Sequence, residues 1–187
     1  MAECDRTGHH ILETPLGFIG IRWSGDGLTR LALPGRSRES VARRVAGDTE
    51  ETALEDAPAF VAGTLDLLAR YCRGEQVDFS AVPVDIPGLD PFRRAIYAAA
   101  RRLAYGEVTT YGELADSAGF PKMARETGQA LGQNPVPIVV PCHRIVAAGG
   151  KIGGFSAPGG SATKERLLLM EGVHVGPPPS AQAAFDF

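Results

Sequence analysis

A chain of 187 residues, 44% hydrophobic and 22% charged, has the make-up of one globular domain or two small ones, which excludes wholesale disorder and lets a core form without disulfides or metal. No apolar run approaches the ~20 residues of a membrane helix, and the polar start MAECDRTGHH lacks an apolar secretory segment, so no membrane association is expected. The net charge of -3 is split, with residues 1–87 summing to -5, residues 88–172 to +3 and the remainder to -1, too weak a basic half to argue for nucleic acid by charge alone.

In chain order, Leu16–Trp23 and Leu28–Leu33 are short, apolar and partly alternating. Ser24-Gly25-Asp26-Gly27 between them predicts a hairpin turn. Ser37–Ala46 reads as a short helix, followed by an acidic loop over 48–56. Pro58 opens a helix over Ala59–Arg73, where Phe60, Thr64, Leu68 and Cys72 recur every four residues until Gly74 stops the run. Val77–Phe79 reads as a strand. Residues 1–82 therefore form an expected N-terminal α+β domain.

Pro83, Pro87, Gly88 and Pro91 mark 83–91 as a linker. Asp90 is an N-cap with Pro91 as the first helical residue, and Phe92, Ile96, Ala99 and Leu103 share one face. Thr110 caps a helix over Tyr111–Ala118, and Gly119-Phe120-Pro121 turns the chain into a second helix over Lys122–Leu131. This pair has helix-turn-helix spacing, which an ordinary helical hairpin shares. Lys122 and Arg125 give the second helix a basic leading end. Asn134-Pro135 breaks it, Ile138–Val140 reads as a buried strand, Gly153–Gly160 as a glycine-rich loop and Thr163–Glu171 as a last helix. Residues 92–175 thus form a mostly helical second domain, and 176–187 a flexible tail.

The three cysteines, Cys4, Cys72 and Cys142, are odd in number and far apart. That pattern predicts no disulfide framework and fits a reducing, cytoplasmic setting. Cys72 on an amphipathic face and Cys4 near the terminus read as structural. Cys142 stands in Pro141-Cys142-His143-Arg144. A thiol of ordinary pKa about 8.5 is mostly protonated near pH 7, so a nucleophilic cysteine needs a base, a cation or hydrogen bonds. His143 is the adjacent relay and Arg144 the adjacent positive charge. A buried structural cysteine is the common alternative.

The segment from Asn134 to Arg144, NPVPIVVPCHR, resembles the active-site segment of the O6-alkylguanine-DNA alkyltransferases, also called methylated-DNA–protein-cysteine methyltransferases. The likeness extends upstream through YGEVTTYGELA (105–115) and ARETG (124–128). It extends downstream through Gly153-Gly154-Phe155-Ser156, Lys164, Leu167-Leu168 and Glu171-Gly172. It covers residues 90–172 strongly, and the N-terminal part through Thr14-Pro15-Leu16-Gly17 more weakly.

The resemblance implies a ribonuclease H-like N-terminal domain and a DNA-binding, alkyl-accepting C-terminal one. Cys142 matches the acceptor, His143 the histidine that reaches it through a water, and Glu171 the carboxylate that holds the histidine. Tyr111 matches the tyrosine that rotates the nucleotide and protonates guanine N3. Asn134 matches the asparagine tying the helix-turn-helix to the active-site loop. Ser156 matches a donor to O6, and the carbonyls of Cys142 and Ile145 match acceptors for the 2-amino group. Arg125 matches the arginine that fills the hole left by the flipped base. Lys122, Ala124 and Gly128 belong to the same DNA face, which enters the minor groove of double-stranded DNA. The expected protein is a monomer that turns over once and needs no cofactor. Some relatives carry an N-terminal zinc; Cys4, His9 and His10 imitate part of such a set, but no fourth ligand matches and no metal is assigned.

Four departures stand out: Phe155 in place of a frequent tyrosine, Glu126-Thr127 after the finger arginine, Ile96-Tyr97 in place of Val-Trp, and a small insertion at Ala157-Pro158. Three rivals remain at this level. One is a lesion binder without transfer, which would lack Cys142. Another is a sequence-specific regulator, and the third a Cys-His hydrolase with many turnovers.

Overall fold

The computed structural model describes residues 7–175; Cys4 and the tail expected over 176–187 lie outside them. The fold is mixed α/β, with a three-stranded and a two-stranded sheet and six α-helices among the described residues.

Strands β1 (Gly8–Thr14), β2 (Gly17–Trp23) and β3 (Leu28–Gly35) form an antiparallel sheet in that order. The sequence reading leaves β1 unassigned, because its two histidines and Glu13 blur the alternation. The β1–β2 turn closes on Gly17, whose φ of 112° suits glycine, while the Thr14 hydroxyl donates to the Gly17 carbonyl at 2.7 Å. Ile19, Ile21 and Trp23 alternate onto one face and join the main core with Val61, Leu65 and Leu68 of α2 (Ala59–Cys72). On the other face Gly20 leaves room for Val41 and Val45 of α1 (Arg38–Val45); a Cβ there would lie 2.8 Å from Val41.

Helix α3 (Pro91–Ala100) starts as expected, with Asp90 accepting from the Arg93 amide and Pro91 in the first turn. It packs against α4 (Tyr111–Ser117) and α5 (Ala124–Gly132). The Ile96-Tyr97 departure is a tie as well as packing, since the buried Tyr97 hydroxyl donates to the Ala130 carbonyl at 2.8 Å. Strand β4 (Thr109–Thr110) runs parallel to β5 (Ile145–Val146), and α6 (Gly160–Met170) is the last element of the described residues.

Three expectations are corrected. Val77–Phe79 is not a strand: its apolar side chains enter the core, while the Arg101 guanidinium takes the carbonyls of Phe79, Ser80 and Val82. Ile138–Val140 is not a strand either. Prolines at 135, 137 and 141 remove ladder donors, and Ile138 turns the chain at φ 73°, a costly conformation for a β-branched residue. Lys122 is not helical; it sits at φ 67° in the turn before α5.

The linker region is pinned in part. Leu28 and Val84 bridge through Leu28 N to Pro83 O and Asp85 N to Leu28 O, each 2.9 Å. The main core is continuous across the chain: Val136, Ile138, Val139 and Leu167 pack in the same cluster as the sheet and α2. No helix of the described residues is long and apolar enough to cross a membrane.

Candidate active site

Cys142 opens a single 3-10 turn, Cys142–Arg144, reached through the proline-rich loop after α5. Asn134 holds that loop in shape. Its Nδ2 donates to the Val140 carbonyl at 2.8 Å and to Cys142 Sγ at 3.3 Å, and its Oδ1 accepts from the Val136 amide at 3.0 Å. One side chain therefore closes the loop and touches the sulfur.

Cys142 is only 8% exposed. Burial pushes its thiol above the ordinary value, and the Asn134 amide and Lys164 charge pull the other way without cancelling it. His143 is fully buried. Its Nε2 lies 2.8 Å from Glu171 Oε1, which assigns the proton to Nε2 and leaves Nδ1 as the free base. No side chain or backbone group among the described residues pairs with that buried Nδ1. Burial pushes the imidazole pKa down against the lift from Glu171, so the resting pair is neutral thiol and neutral imidazole.

Glu171 follows α6 and is buried. Burial raises its pKa, but hydrogen bonds from His143 and Arg144 outweigh that and hold it well below the usual carboxylate range. Arg144 binds it through Nε at 2.8 Å and Nη2 at 3.0 Å, and spends Nη1 on the Leu103 carbonyl at 2.7 Å. Arg144 is thus the partner of Glu171, which corrects the expectation that its charge serves Cys142. The cation that favours the thiolate is Lys164, fully buried on α6. Burial brings its own pKa down to about 8. Its Nζ donates to the Ile145 carbonyl and, at 3.3 Å, to the Tyr111 hydroxyl.

Sequence reasoning missed Tyr71. It comes from α2, is 1% exposed, and donates its hydroxyl to Glu171 Oε1 at 2.8 Å. Its apolar periodicity in α2 marks it only as core; nothing local signals a partner 100 positions away.

Two openings meet at the sulfur. The larger, about 660 Å³, is lined by Cys142 together with Tyr111, Ala124, Arg125, Gly128, Phe155 and Ser156. It therefore gathers most of the expected residues. Tyr111 is the first residue of α4, whose start is fixed by a capping box between Thr110 and Glu113. Its ring lies 3.3 Å from where a Cβ on Gly153 would stand, at a φ of 74°, so that glycine is needed for its placement, whereas a Cβ on Gly128 would meet the ring at an ordinary 3.7 Å. Lys122 does not line this cleft, and neither does Ile145, which is fully buried. The first turn of α5 also carries exposed Glu126, so its leading end is less basic than expected. Thr127 is buried inside the helix pair. The smaller opening, about 230 Å³, lies toward β3 and α1. Among the described residues no cluster of His, Cys, Asp and Glu could hold a metal.

The helical half defines the class: residues 91–173 match the family model described as 6-O-methylguanine DNA methyltransferase, DNA binding domain. A methylated-DNA–protein-cysteine methyltransferase of Mycolicibacterium paratuberculosis is 32% identical over 178 residues, 95% of this chain and 98% of that protein. The structure of Mycobacterium tuberculosis OGT in complex with DNA is 34% identical, spans 88% of this chain and 92% of that one, and superposes with a TM-score of 0.69. For the O6-methylguanine-DNA methyltransferase of the archaeon Pyrococcus kodakaraensis the figures are 25%, 88%, 99% and 0.64. The chain belongs to the methylated-DNA–protein-cysteine methyltransferase family.

Proposed function

We propose that this chain is a DNA repair protein that moves the alkyl group of O6-alkylguanine, and of O4-alkylthymine, in duplex DNA onto Cys142 and keeps it. The observation that carries the reading is the position of Cys142: its sulfur touches Asn134 and shares a cleft wall with Tyr111 and Arg125 of the helix pair.

The helix pair enters the minor groove. Ala124 and Gly128 let α5 approach closely, Arg125 takes the place of the flipped nucleotide, and Lys122 meets phosphate. The base swings into the larger cleft, against Ser156, Phe155 and the carbonyl of Cys142, while the Ile145 carbonyl behind it holds Lys164 Nζ. The Cys142 proton passes through a water to His143 Nδ1, and Glu171 stabilises the imidazolium. The thiolate attacks the sp3 carbon in line, the S–C bond forms as the C–O6 bond breaks, and Tyr111 supplies a proton at N3 to the leaving guanine. The Lys164 ammonium behind Tyr111 supports that donation. A thioether does not hydrolyse, so each molecule acts once, as a monomer and without a cofactor.

Residues 1–82 are read as a ribonuclease H-like α+β domain, joined through 83–91 to the DNA-binding and acceptor domain over 92–175. The antiparallel sheet between α1 and α2 supports this.

The test is intact-mass analysis after incubation with duplex DNA containing O6-methylguanine. The expected product carries one methyl per chain, on Cys142, and Cys142→Ala binds the DNA but gains none. Many turnovers would favour a hydrolase, and methylation of the Ala variant would remove Cys142 from the scheme.

A further inference from the structure

The smaller opening at Cys142 has a composition the transfer of a methyl group does not require. Its volume of about 230 Å³ holds roughly seven waters, well beyond one methyl. Its walls include Cys142, Pro137, Ser156 and Ala157 on one side and Arg30 and Arg44 on the other. No Asp or Glu lines it. Two arginines therefore line a space that the acceptor sulfur also borders.

Neither guanidinium has an anionic partner among the described residues. Arg44 donates to the carbonyls of Ser40 and Leu33 at 3.3 and 3.2 Å, and Arg30 to the carbonyl of Arg44 at 3.4 Å. By contrast Arg38, Arg70, Arg73, Arg93 and Arg144 all pair with carboxylates. Arg44 is partly buried, and that burial pushes its pKa down. A guanidinium held at a desolvating site without a counter-ion raises the local potential and favours an incoming anion.

We propose that this opening receives the far end of longer O6-alkyl groups and that Arg30 and Arg44 select chains ending in a carboxylate. The inference rests on the reading of Cys142 as alkyl acceptor. In the step itself, Cys142 Sγ bonds to the first carbon of the chain and that carbon's bond to O6 breaks. The guanine leaves with a proton at N3 from Tyr111, the thiol proton held on His143 makes good that loss, and the carboxylate travels unchanged on the new thioether.

The experiment compares single-turnover transfer from duplexes carrying O6-carboxymethyl- or O6-(3-carboxypropyl)guanine with their neutral carboxamide counterparts, with O6-methylguanine as reference and mass analysis of Cys142 as readout. At the chain length that reaches the arginines, the acid is transferred about tenfold faster than the amide, the size of one charge-assisted hydrogen bond. Arg30→Gln with Arg44→Gln brings that ratio to about one and leaves methyl transfer unchanged. Arg30→Gln alone, at an exposed position, lowers the ratio partway and guards against misfolding of the double variant. A ratio at or below one for both lengths overturns the proposal, as does a ratio that survives the substitutions. Equal losses on every substrate, methyl included, also overturn it, since they assign the arginines to DNA phosphate. Absence of methyl transfer in the unaltered chain instead sinks the acceptor reading beneath it.

Discussion

Glu171 is the residue on which the site is hung. Oε1 accepts from Tyr71, His143 and Arg144, and Oε2 from Arg144 and the Gly106 amide. Five donors on one buried carboxylate fix the ring proposed to receive the thiol proton. They also tie stability to pH. The folded-state pKa of Glu171 lies below its unfolded value of about 4.3. Its stabilisation is therefore fully present above that unfolded value, and it is lost as acid titrates the unfolded chain first and then the folded carboxylate. Glu171→Gln should cost about 3–5 kcal/mol near neutrality, because Arg144 is left buried without its anion. That gap should narrow by about 1.4 kcal/mol per pH unit below about pH 4. Urea unfolding at a series of pH values measures it, and a gap independent of pH would mean the ionised carboxylate is not what the fold depends on. Tyr71→Phe removes one donor of the five and should cost about 1.5–3 kcal/mol by the same assay.

At the scale of elements, what was legible in the sequence is what is local. The Asp90-Pro91 start of α3, the Thr110 cap of α4 and the stop of α2 before Gly74 follow from neighbours a few residues apart. The PCHR segment and the residues of the larger cleft stand out through spaced motifs, but the 3-10 turn at Cys142–Arg144 does not. Val77–Phe79 and Ile138–Val140 resemble strands in sequence because apolar, β-branched composition does not show whether a ladder partner exists. The partnership of Arg144 with Glu171 and the entry of Tyr71 into the site are long-range and leave no local pattern, and Lys164 stands among the motif residues with no sign that its charge serves Cys142. Helix α5 itself gives a prediction. Arg125 is exposed and lines the larger cleft together with Cys142. If it fills the gap left by a flipped base, it recovers part of an unstacking cost of a few kcal/mol. Arg125→Ala should then slow repair of duplex DNA roughly tenfold, about 1.4 kcal/mol. Reaction with free O6-benzylguanine, tested under the same conditions, should change less than about twofold, since no stack is opened there. Equal losses on both substrates would move Arg125 from the flipped state to the cleft itself.

At the scale of the whole molecule, the two halves are joined by the groups that build the site. The β3 backbone receives the loop before Cys142 through Leu31 N to Pro135 O at 2.8 Å. Arg101 of the helical half binds three carbonyls between Phe79 and Val82, and Tyr71 reaches Glu171 from α2. The core that covers Trp23 also covers Val136, Ile138 and Val139. Opening the sheet would therefore expose apolar surface on the acceptor loop and orphan a buried hydroxyl against a carboxylate, and each penalty is of the order of a kcal/mol or more. A chain of this size often unfolds in steps, but these shared contacts should make it unfold in one. Trp23 is the sole tryptophan and is 1% exposed, so its fluorescence reports the sheet, while methyl transfer to Cys142 reports the acceptor loop. In urea the two signals, together with far-ultraviolet circular dichroism, should fall with a common midpoint and slope. Activity lost well before Trp23 is released would uncouple the halves, as would a fragment of residues 83–175 that accepts methyl groups at the full-length rate. Either result would make the N-terminal unit a passenger rather than one wall of the site.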